Sequence, residues 1–599
     1  MAAVTSHAGN TAPGSAADTL AAAAWIALAG GTIEVIVLAF RKLALGQLLH
    51  LSPHFTWMAP VGGLLVIAVP ALGWVAAQAL WPRHFTWTRA AGVFAFLAAL
   101  GLAYMFPRLH RIAMLVLAAG VGVQSARIIA ARQAGARALI RRTLPWLAAA
   151  VLVAGLGTGG AGWWRERRAL AALPAGAPAG APNILLIILD TVRAASLGLY
   201  GYDRPTSPAL DAFAAGAIVF DRAMSASPWT LPSHGAMFTG YHPHEQSSDW
   251  EVPLDAALPT LAEMLSADGY EAAGFVANVF YGTYEHGLDR GFTHWEDFRV
   301  SPGQVFNSSS LASLLLAGRP GFTVNALRRL IDNLDYLGRK DADRVNGDFL
   351  AWLDDRDGGR PFFAFLNYID AHWPYVAPKD IQEQFGVTEP WSYNVDAYDA
   401  SIAGIDRELG RLLDTLRERG ILENTIVIIA SDHGEHLGEH DRTGHGNSLY
   451  MENLHVPLVI AFPGAVPSNA RVPDFATTRS LPATILDLAG LAERHVLPGT
   501  SLRGFWERVE PAMAVIADPV LSSARQTVRT NVDLPISQGD MFALVEEGHQ
   551  FIENGDRTEE LYDLLRDMRQ HENRIATDPA RATRLRARTA ELVGGGVSR

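Results

Sequence analysis

The sequence predicts an N-terminal bundle of five transmembrane helices, joined by a short spacer to an α/β domain with a mostly parallel central sheet. Three observations carry this expectation. The first 165 or so residues are dense in Ala, Leu, Val and Gly and poor in charge, whereas the rest has the composition of a water-soluble domain. Five apolar stretches in that first part reach or approach the ~20 residues a helix needs to cross a hydrocarbon core. Beyond them, apolar runs of strand length alternate with amphipathic helical patterns. At 599 residues the chain is also too long for one ordinary core.

The spans are expected at 20–40, 58–81, 90–106, 112–131 and 144–164. The polar segment before the first span carries no basic residue, so it lacks the charged region of a cleaved signal peptide, and the first span is expected to stay. Trp57, Trp81, Trp163 and Trp164 stand near the proposed ends, as interfacial aromatics do. Basic residues in the short loops divide evenly between the two sides. The densest group, ARIIAARQAGARALIRR, lies between spans four and five and favours a cytoplasmic N-terminus. Five spans then place the remainder outside the cytoplasm, which makes this a multi-pass cell-membrane protein. Glu34 falls within the first span, two turns from Arg41; it is either a functional group or one that faces a polar bundle interior. Residues 1–168 are therefore read as the transmembrane domain and the Ala/Pro/Gly stretch 169–182 as a semi-rigid spacer. Residues 183–599 are read as the catalytic domain.

After the spacer, NILLIILD, FFAFLNY, TIVIIASD and VPLVIAF read as strands buried on both faces of a mostly parallel sheet. ASIAGIDRELGRLLDTLRERG reads as an amphipathic helix stopped by Gly420. In such sheets ligands bind at the carboxyl ends of the strands. Asp190 ends the first run, Asp370 and His372 follow the second, and Asp432 and His433 follow the third. In SPWTLPSHGAMFTG, Thr230 is either the N-cap of a helix begun by Pro232 or a nucleophile whose helix aims its first amides at an anion. Two Asp, one His and a hydroxyl suit Zn²⁺, Mn²⁺ or Mg²⁺, any of which would activate the Thr230 oxygen. The net charge of −12 argues against a nucleic-acid partner, and the lack of cysteine removes disulfides, thiolate metal sites and cysteine nucleophiles.

NILLIILDTVRAASLGLYGY, SPWTLPSHGAMFTGYHPH, YIDAHWPY, IIASDHGEHLGEH, GHGNSLYMENLHVPLVI and ELYDLLRD together resemble the sulfatase family of the alkaline phosphatase superfamily, in the order seen there. The resemblance implies an alkaline-phosphatase-like fold and an enzyme acting on an anionic ester, with a lipid or a glycan as the open alternatives for the rest of the substrate. It implies one divalent metal on Asp190, Thr230, Asp432 and His433, with Thr230 as nucleophile and His372 and His445 on the substrate oxygens or leaving group. It leaves Asp370 either orienting His372 or capping a loop.

The departures from the family pattern shape the expectation further. Where the family oxidises Cys or Ser to formylglycine, this chain has Thr230, whose secondary alcohol cannot give that aldehyde. His234 stands where an arginine steadies the hydrated aldehyde, and Asp190–Thr191 replaces an Asp–Asp pair, which disfavours calcium. The ligand set is similar to that of the lipoteichoic acid synthases and phosphoethanolamine transferases of the same superfamily, which also carry five spans. The expected activity is hydrolysis or transfer of a phosphoryl-type ester through a Thr230 intermediate. The alternatives are a sulfuric ester hydrolase without formylglycine and an inactive member that binds an anionic glycan or lipid.

Overall fold

The computed structural model describes residues 15–595 apart from 178–179, 299, 317–339, 376, 390–392, 496, 508–518 and 528–530. The polar N-terminal segment 1–14, the middle of the expected spacer and the last four residues of the expected catalytic domain lie outside the described residues. The chain divides into two compact units, Met1–Arg165 with Phe298–Gly338, and Glu166–Asp297 with Arg339–Arg599.

The first unit holds α1 (Ala16–Leu45), α2 (Phe55–Leu80), α3 (Trp87–Tyr104), α4 (Arg111–Ala131) and most of α5 (Gln133–Ala172). Among the described residues these are the five helices long and apolar enough to cross a membrane, and they overlap the five expected spans, with Trp81, Met105 and Phe106 falling just past the ends of α2 and α3. Ser15 and Asp18 form a capping box at the start of α1, and the Asp18 carboxylate meets Arg141 at 2.9 Å and Arg137 at 3.4 Å. Helices α1 and α2 approach so closely that a Cβ on Gly31 would lie 2.4 Å from Pro60 Cα, a spacing only glycine admits. Helix α5 continues to Ala172, so the first residues of the expected spacer are helical.

The second unit is built on a large sheet whose path runs β11 (Ala470–Thr477), β2 (Ile218–Met224), β10 (Leu458–Ala461), β6 (Thr425–Ala430), β1 (Asn183–Leu189), β5 (Phe362–Tyr368), β3 (Glu271–Val276), β4 (His294–Glu296), with β9 (His455–Val456) paired to β2. Strand β1 explains why its run reads as continuously apolar. Ile184, Leu186 and Ile188 enter one hydrophobic layer, while Leu185, Ile187 and Leu189 enter the other. Each such burial stabilises by about 1.5–3 kcal/mol. Along the path every neighbouring pair is parallel except those of β10, which runs antiparallel to β2 and β6. VPLVIAF is thus buried on both faces as expected, but its direction is opposite to that of the other three runs.

Helices α6 (Pro208–Ala214), α7 (Thr230–Thr239) and α8 (Leu261–Ala267) follow β1 and β2 in the chain. The helix Val395–Glu418 is capped by the Asn394 side chain, buries Ile402, Ile405, Leu409, Leu412 and Leu416 at helical spacing, and ends before Gly420 at φ 68°. A second sheet, β12 (Val520–Ala524), β13 (Met541–Glu546), β14 (His549–Glu553) and β15 (Glu559–Asp563), is antiparallel throughout. Strands β7 (His436–Leu437) and β8 (Thr443–Gly444) form a small hairpin between β6 and β9.

Between β4 and β5 the chain leaves the second unit. Helices α9 (Pro302–Asn307) and α10 (Ser310–Leu316) pack against α2 and α3 and belong to the first unit.

Candidate active site

The carboxyl ends of β1, β3, β5 and β6 all lie at one edge of the sheet, since these strands are mutually parallel. Strand β2 is antiparallel to β10, itself antiparallel to β6, so its end lies there too. Asp190 follows β1, Asp432 and His433 follow β6, Asp370 and His372 follow β5, and Thr230 opens α7 after β2.

Asp190, Asp432 and His433 converge, with one ligand atom of each within 4.8 Å of the others, and all three are fully buried. Asp190 Oδ2 accepts from Asn278 Nδ2 at 2.8 Å, and Asp432 Oδ1 accepts from the amides of Thr191 at 3.2 Å and His433 at 2.9 Å. Asp190 Oδ1 and Asp432 Oδ2 have no hydrogen-bond partner among the described residues. His433 Nε2 at 3.4 Å and His234 Nδ1 at 3.6 Å face Asp432 Oδ2 without closing a bond. Burial, and then the neighbouring Asp432 charge, push the Asp190 carboxyl up to about 7; burial pushes Asp432 up to about 7 against its amide donors. Asp190, Asp432 and His433 are by type and spacing a group able to hold a metal ion, and the first two each keep an oxygen without a hydrogen-bond partner among the described residues.

The backbone that presents Asp190 is strained. Thr191, a β-branched residue, sits at φ 63° in the left-handed region. Its hydroxyl donates to Asp190 O at 2.6 Å and its carbonyl accepts from Tyr398 Oη at 2.7 Å, which holds the turn in place.

Helix α7 begins at Thr230 itself, with Trp229 at the cap position, so Thr230 is not the N-cap and Pro232 is the third helical residue. The Thr230 side chain is turned to the cluster, its Oγ1 3.1 Å from His433 Nε2. His433 Nδ1 donates to the Gly434 carbonyl at 3.0 Å, which leaves Nε2 as the acceptor facing Thr230. Burial holds this imidazole down to about 4, in its neutral form. His234, one turn into α7, donates from Nδ1 to Thr230 O at 2.8 Å and is buried.

The His445 ring centroid is 4.4 Å from that of His433 and 4.9 Å from that of His372. His445 Nδ1 meets Glu435 Oε2 at 2.9 Å, and His372 Nδ1 donates to Trp373 O at 2.7 Å. Asp370 Oδ1 accepts the amide of Ala342 at 3.3 Å, at the start of the helix Ala342–Asp355. Two glycines are required here. A Cβ on Gly434 would lie 2.0 Å from Glu452 O, and Gly446, at φ 74°, would drive one to 2.5 Å from Trp250.

Sequence reasoning missed Asn278, Glu435 and Trp229. Asn278 stands just beyond EAAGFV, a short Ala- and Gly-bearing strand not recognised as one, and its carboxamide is what holds Asp190. Glu435 lies in the SDHGEH run, but nothing local marks it as the partner of His445. Trp229 packs against His445 at 5.1 Å and stacks on Trp250 at 3.7 Å.

The sequence pattern of the Sulfatase family matches residues 182–491, just over half of the chain. The chain belongs to the sulfatase family. The matched stretch runs from the start of β1 through α7 and the Asp432–His433 turn. The chain is 26% identical over 368 residues to the endo-4-O-sulfatase of Bacteroides thetaiotaomicron, covering 52% of this chain and 70% of that one. It is 25% identical over 383 residues to an arylsulfatase of Clostridium perfringens, covering 54% and 78%. The phosphonate monoester hydrolase of Agrobacterium radiobacter shares the fold, with a TM-score of 0.54 at 20% identity over 69% of this chain and 96% of that one. This sulfatase-family hydrolase thus carries the alkaline-phosphatase-like domain, with a mixed, mostly parallel sheet, after five helices apolar enough to span a membrane.

Proposed function

We propose that this chain is a membrane-bound, metal-dependent enzyme that hydrolyses or transfers a phosphoryl-type ester group through a covalent intermediate on Thr230. The observation that carries this reading is the Thr230 hydroxyl, 3.1 Å from His433 Nε2 at the first turn of α7, beside the buried Asp190, Asp432 and His433 cluster. The orphaned oxygens of Asp190 and Asp432 with His433 Nε2 and Thr230 Oγ1 fit one Mn²⁺, Zn²⁺ or Mg²⁺, and two carboxylates are few for calcium. When bound, such an ion supplies Lewis acidity that lowers the threonine pKa and offsets charge on an ester oxygen.

The protein groups take the remaining roles. Thr230 Oγ attacks the central atom of the ester. Pro232 has no N–H and the Ser233 amide is bonded to Trp229 O, which leaves the first amides of α7 to face an anionic oxygen. His445, anchored at Nδ1 by Glu435, and His372, anchored at Nδ1 by the Trp373 carbonyl, each offer Nε2 to an ester oxygen or the departing group. His234 positions the Thr230 carbonyl rather than reaching outward through Nδ1, and Asp370 Oδ1 accepts the Ala342 amide.

Phosphorus is favoured over sulfur by how the intermediate must be cleared. A sulfated formylglycine hydrate collapses back to the aldehyde, with no second attack at sulfur. A threonine ester has no such exit and needs a second in-line displacement at its central atom, by water or by an alcohol of a lipid or glycan. The phosphonate monoester hydrolase of the same fold is consistent with phosphorus chemistry on this scaffold. The second reading, hydrolysis of a sulfuric ester without formylglycine, is supported by relatives named as sulfatases. Purified protein in detergent with Mn²⁺ or Zn²⁺ is expected to cleave phosphodiester, phosphonate monoester or phosphomonoester probes faster than aryl sulfates. Cleavage of aryl sulfates alone, under every metal, would establish the second reading instead.

In this account the spans 1–168 start from a cytoplasmic N-terminus and deliver the catalytic chain, from 183 onward, outside the cytoplasm. Reporter fusions at 132–142 are expected to read as cytoplasmic and fusions after residue 182 as external. Protection of the catalytic chain from protease in intact cells would contradict this topology.

A further inference from the structure

Glu34 is a buried carboxylate on a helix apolar enough to cross a membrane, and the ester chemistry does not use it. Its Oε1 accepts the backbone N–H of Ser310 at 2.7 Å and also the Ser310 hydroxyl. Ser310 opens α10, 276 residues further along the chain. Small residues on the bundle make room for this visitor. A Cβ on Gly62 of α2 would lie 2.3 Å from Val305 O, and one on Gly101 of α3 would lie 3.0 Å from Leu311 Cβ. A Cβ on Gly63 would lie 3.7 Å from Ser309 Oγ, and Ser308 Oγ is 3.6 Å from Met58 Sδ.

Helix positions give the depth of these contacts. Glu34 precedes the end of α1 at Leu45, Gly62 follows the start of α2 at Phe55, and Gly101 precedes the end of α3 at Tyr104. At 1.5 Å per residue the contacts lie about 16, 10 and 5 Å inside those ends. With spans alternating in direction, these three ends and the Ala172 end of α5 fall on one side. The visiting segment therefore enters from the side on which the chain leaves α5. Residues 300–318, VSPGQVFNSSSLASLLLAG, carry no charge and are flanked by Arg299 and Arg319. The stretch is too polar and too broken by Pro and Asn to span, but it has the length and composition of a segment that enters and leaves on one side.

We propose that residues 300–316 are a re-entrant membrane segment of the catalytic chain, locked into the helical bundle by Glu34, so that this chain is fastened to the membrane at two places rather than by α5 alone. The proposal rests on the five helices being membrane spans and is independent of the chemistry at Thr230. Non-helical backbone at membrane depth persists only where protein groups satisfy it. Glu34 gives the Ser310 amide an acceptor, and Ser310 gives the carboxylate two donors, so removing either partner strands the other.

The chain has no cysteine, so Gly63→Cys with Ser309→Cys introduces the only thiols. A protease site placed in the spacer 169–182 separates the two halves after oxidation of native membranes. The expected result is that the halves stay joined until reductant is added, and that Ser309→Cys alone resists a membrane-impermeant maleimide. Adding Glu34→Ala is expected to speed that labelling by about tenfold or more, the scale of losing a hydrogen bond to a charged group. If the Glu34→Ala protein does not accumulate, Ser310→Ala, which removes only the hydroxyl donor, is expected to speed labelling several-fold. Rapid labelling of Ser309→Cys with Glu34 intact, or failure of the halves to join, would overturn the re-entrant placement. Labelling unchanged by the substitution at Glu34 or Ser310 would overturn the lock.

Discussion

Thr230→Ala is expected to reduce ester turnover by at least about a thousandfold while the protein stays folded, because a covalent route loses its attacking atom. The side chain is small, and its Oγ1 bonds to a histidine rather than to a packing partner, so the change deletes one hydroxyl and one methyl group beside the cluster. Thr230→Ser keeps the oxygen and is expected to retain most of the rate. The measurement is steady-state turnover of phosphodiester and aryl sulfate probes by both variants, with unfolding temperature as the control. Equal turnover by wild type and Thr230→Ala would show catalysis that does not pass through Thr230, whereas no turnover of any probe by wild type under any metal would support the reading in which the domain holds an anionic glycan or lipid without cleaving it.

Metal removal is expected to destabilise the catalytic domain far more at pH 8 than at pH 5. The Asp190 and Asp432 carboxyls are each pushed up to about 7, from 3.8 in the unfolded chain, by burial and, for Asp190, by the charge of Asp432. Without a cation, the folded protein therefore holds protons that the unfolded chain has already released between pH 4 and 7. Stability contributed by the neutral carboxyls is fully present below about pH 4 and is lost as pH rises through about 7. A tenfold weakening of a carboxyl's acidity on folding corresponds to about 1.4 kcal/mol, so the two aspartates together cost several kcal/mol once ionised. A bound cation replaces those protons and restores the loss. His433, held down to about 4, is neutral across this window and does not compete. Thermal unfolding in detergent with chelator and with added Mn²⁺ or Zn²⁺, at both pH values, measures the difference. A metal-induced rise in Tm no larger at pH 8 than at pH 5 would contradict a cation held between these two aspartates.

The parts of this protein legible in its sequence are those whose chemistry is local. Strands β1, β5 and β6 announce themselves because burial on both faces leaves a run of apolar residues, and the acids and histidines directly after such runs fall at the ligand-binding edge by construction. The direction of β10 was not legible, since an apolar run records burial and not orientation. Strand β3 escaped because it is short and contains Gly274, where a Cβ would strike Trp295 at 2.3 Å; its packing requires the residue that disguises it. The same distinction runs through the site. Thr230, Asp190, Asp432 and His433 follow from position along their own elements. Asn278 on Asp190 and Glu435 on His445 are pairings made by the fold, which spacing along the chain does not encode. Glu34 shows both sides of this. An acid inside an apolar span is visible at once, but its partner Ser310 lies 276 residues away in a stretch that reads as part of another domain.

The central claim, that Thr230 carries the group being transferred, is tested most directly by quenching the enzyme during turnover of a phosphodiester or phosphonate probe and mapping its peptides by mass spectrometry. The account predicts the phosphoryl or phosphonyl mass on the peptide containing Thr230, accumulating when the acceptor is withheld and absent from Thr230→Ala. Sustained turnover with that peptide unmodified at every time point, and undiminished in Thr230→Ala, would contradict it.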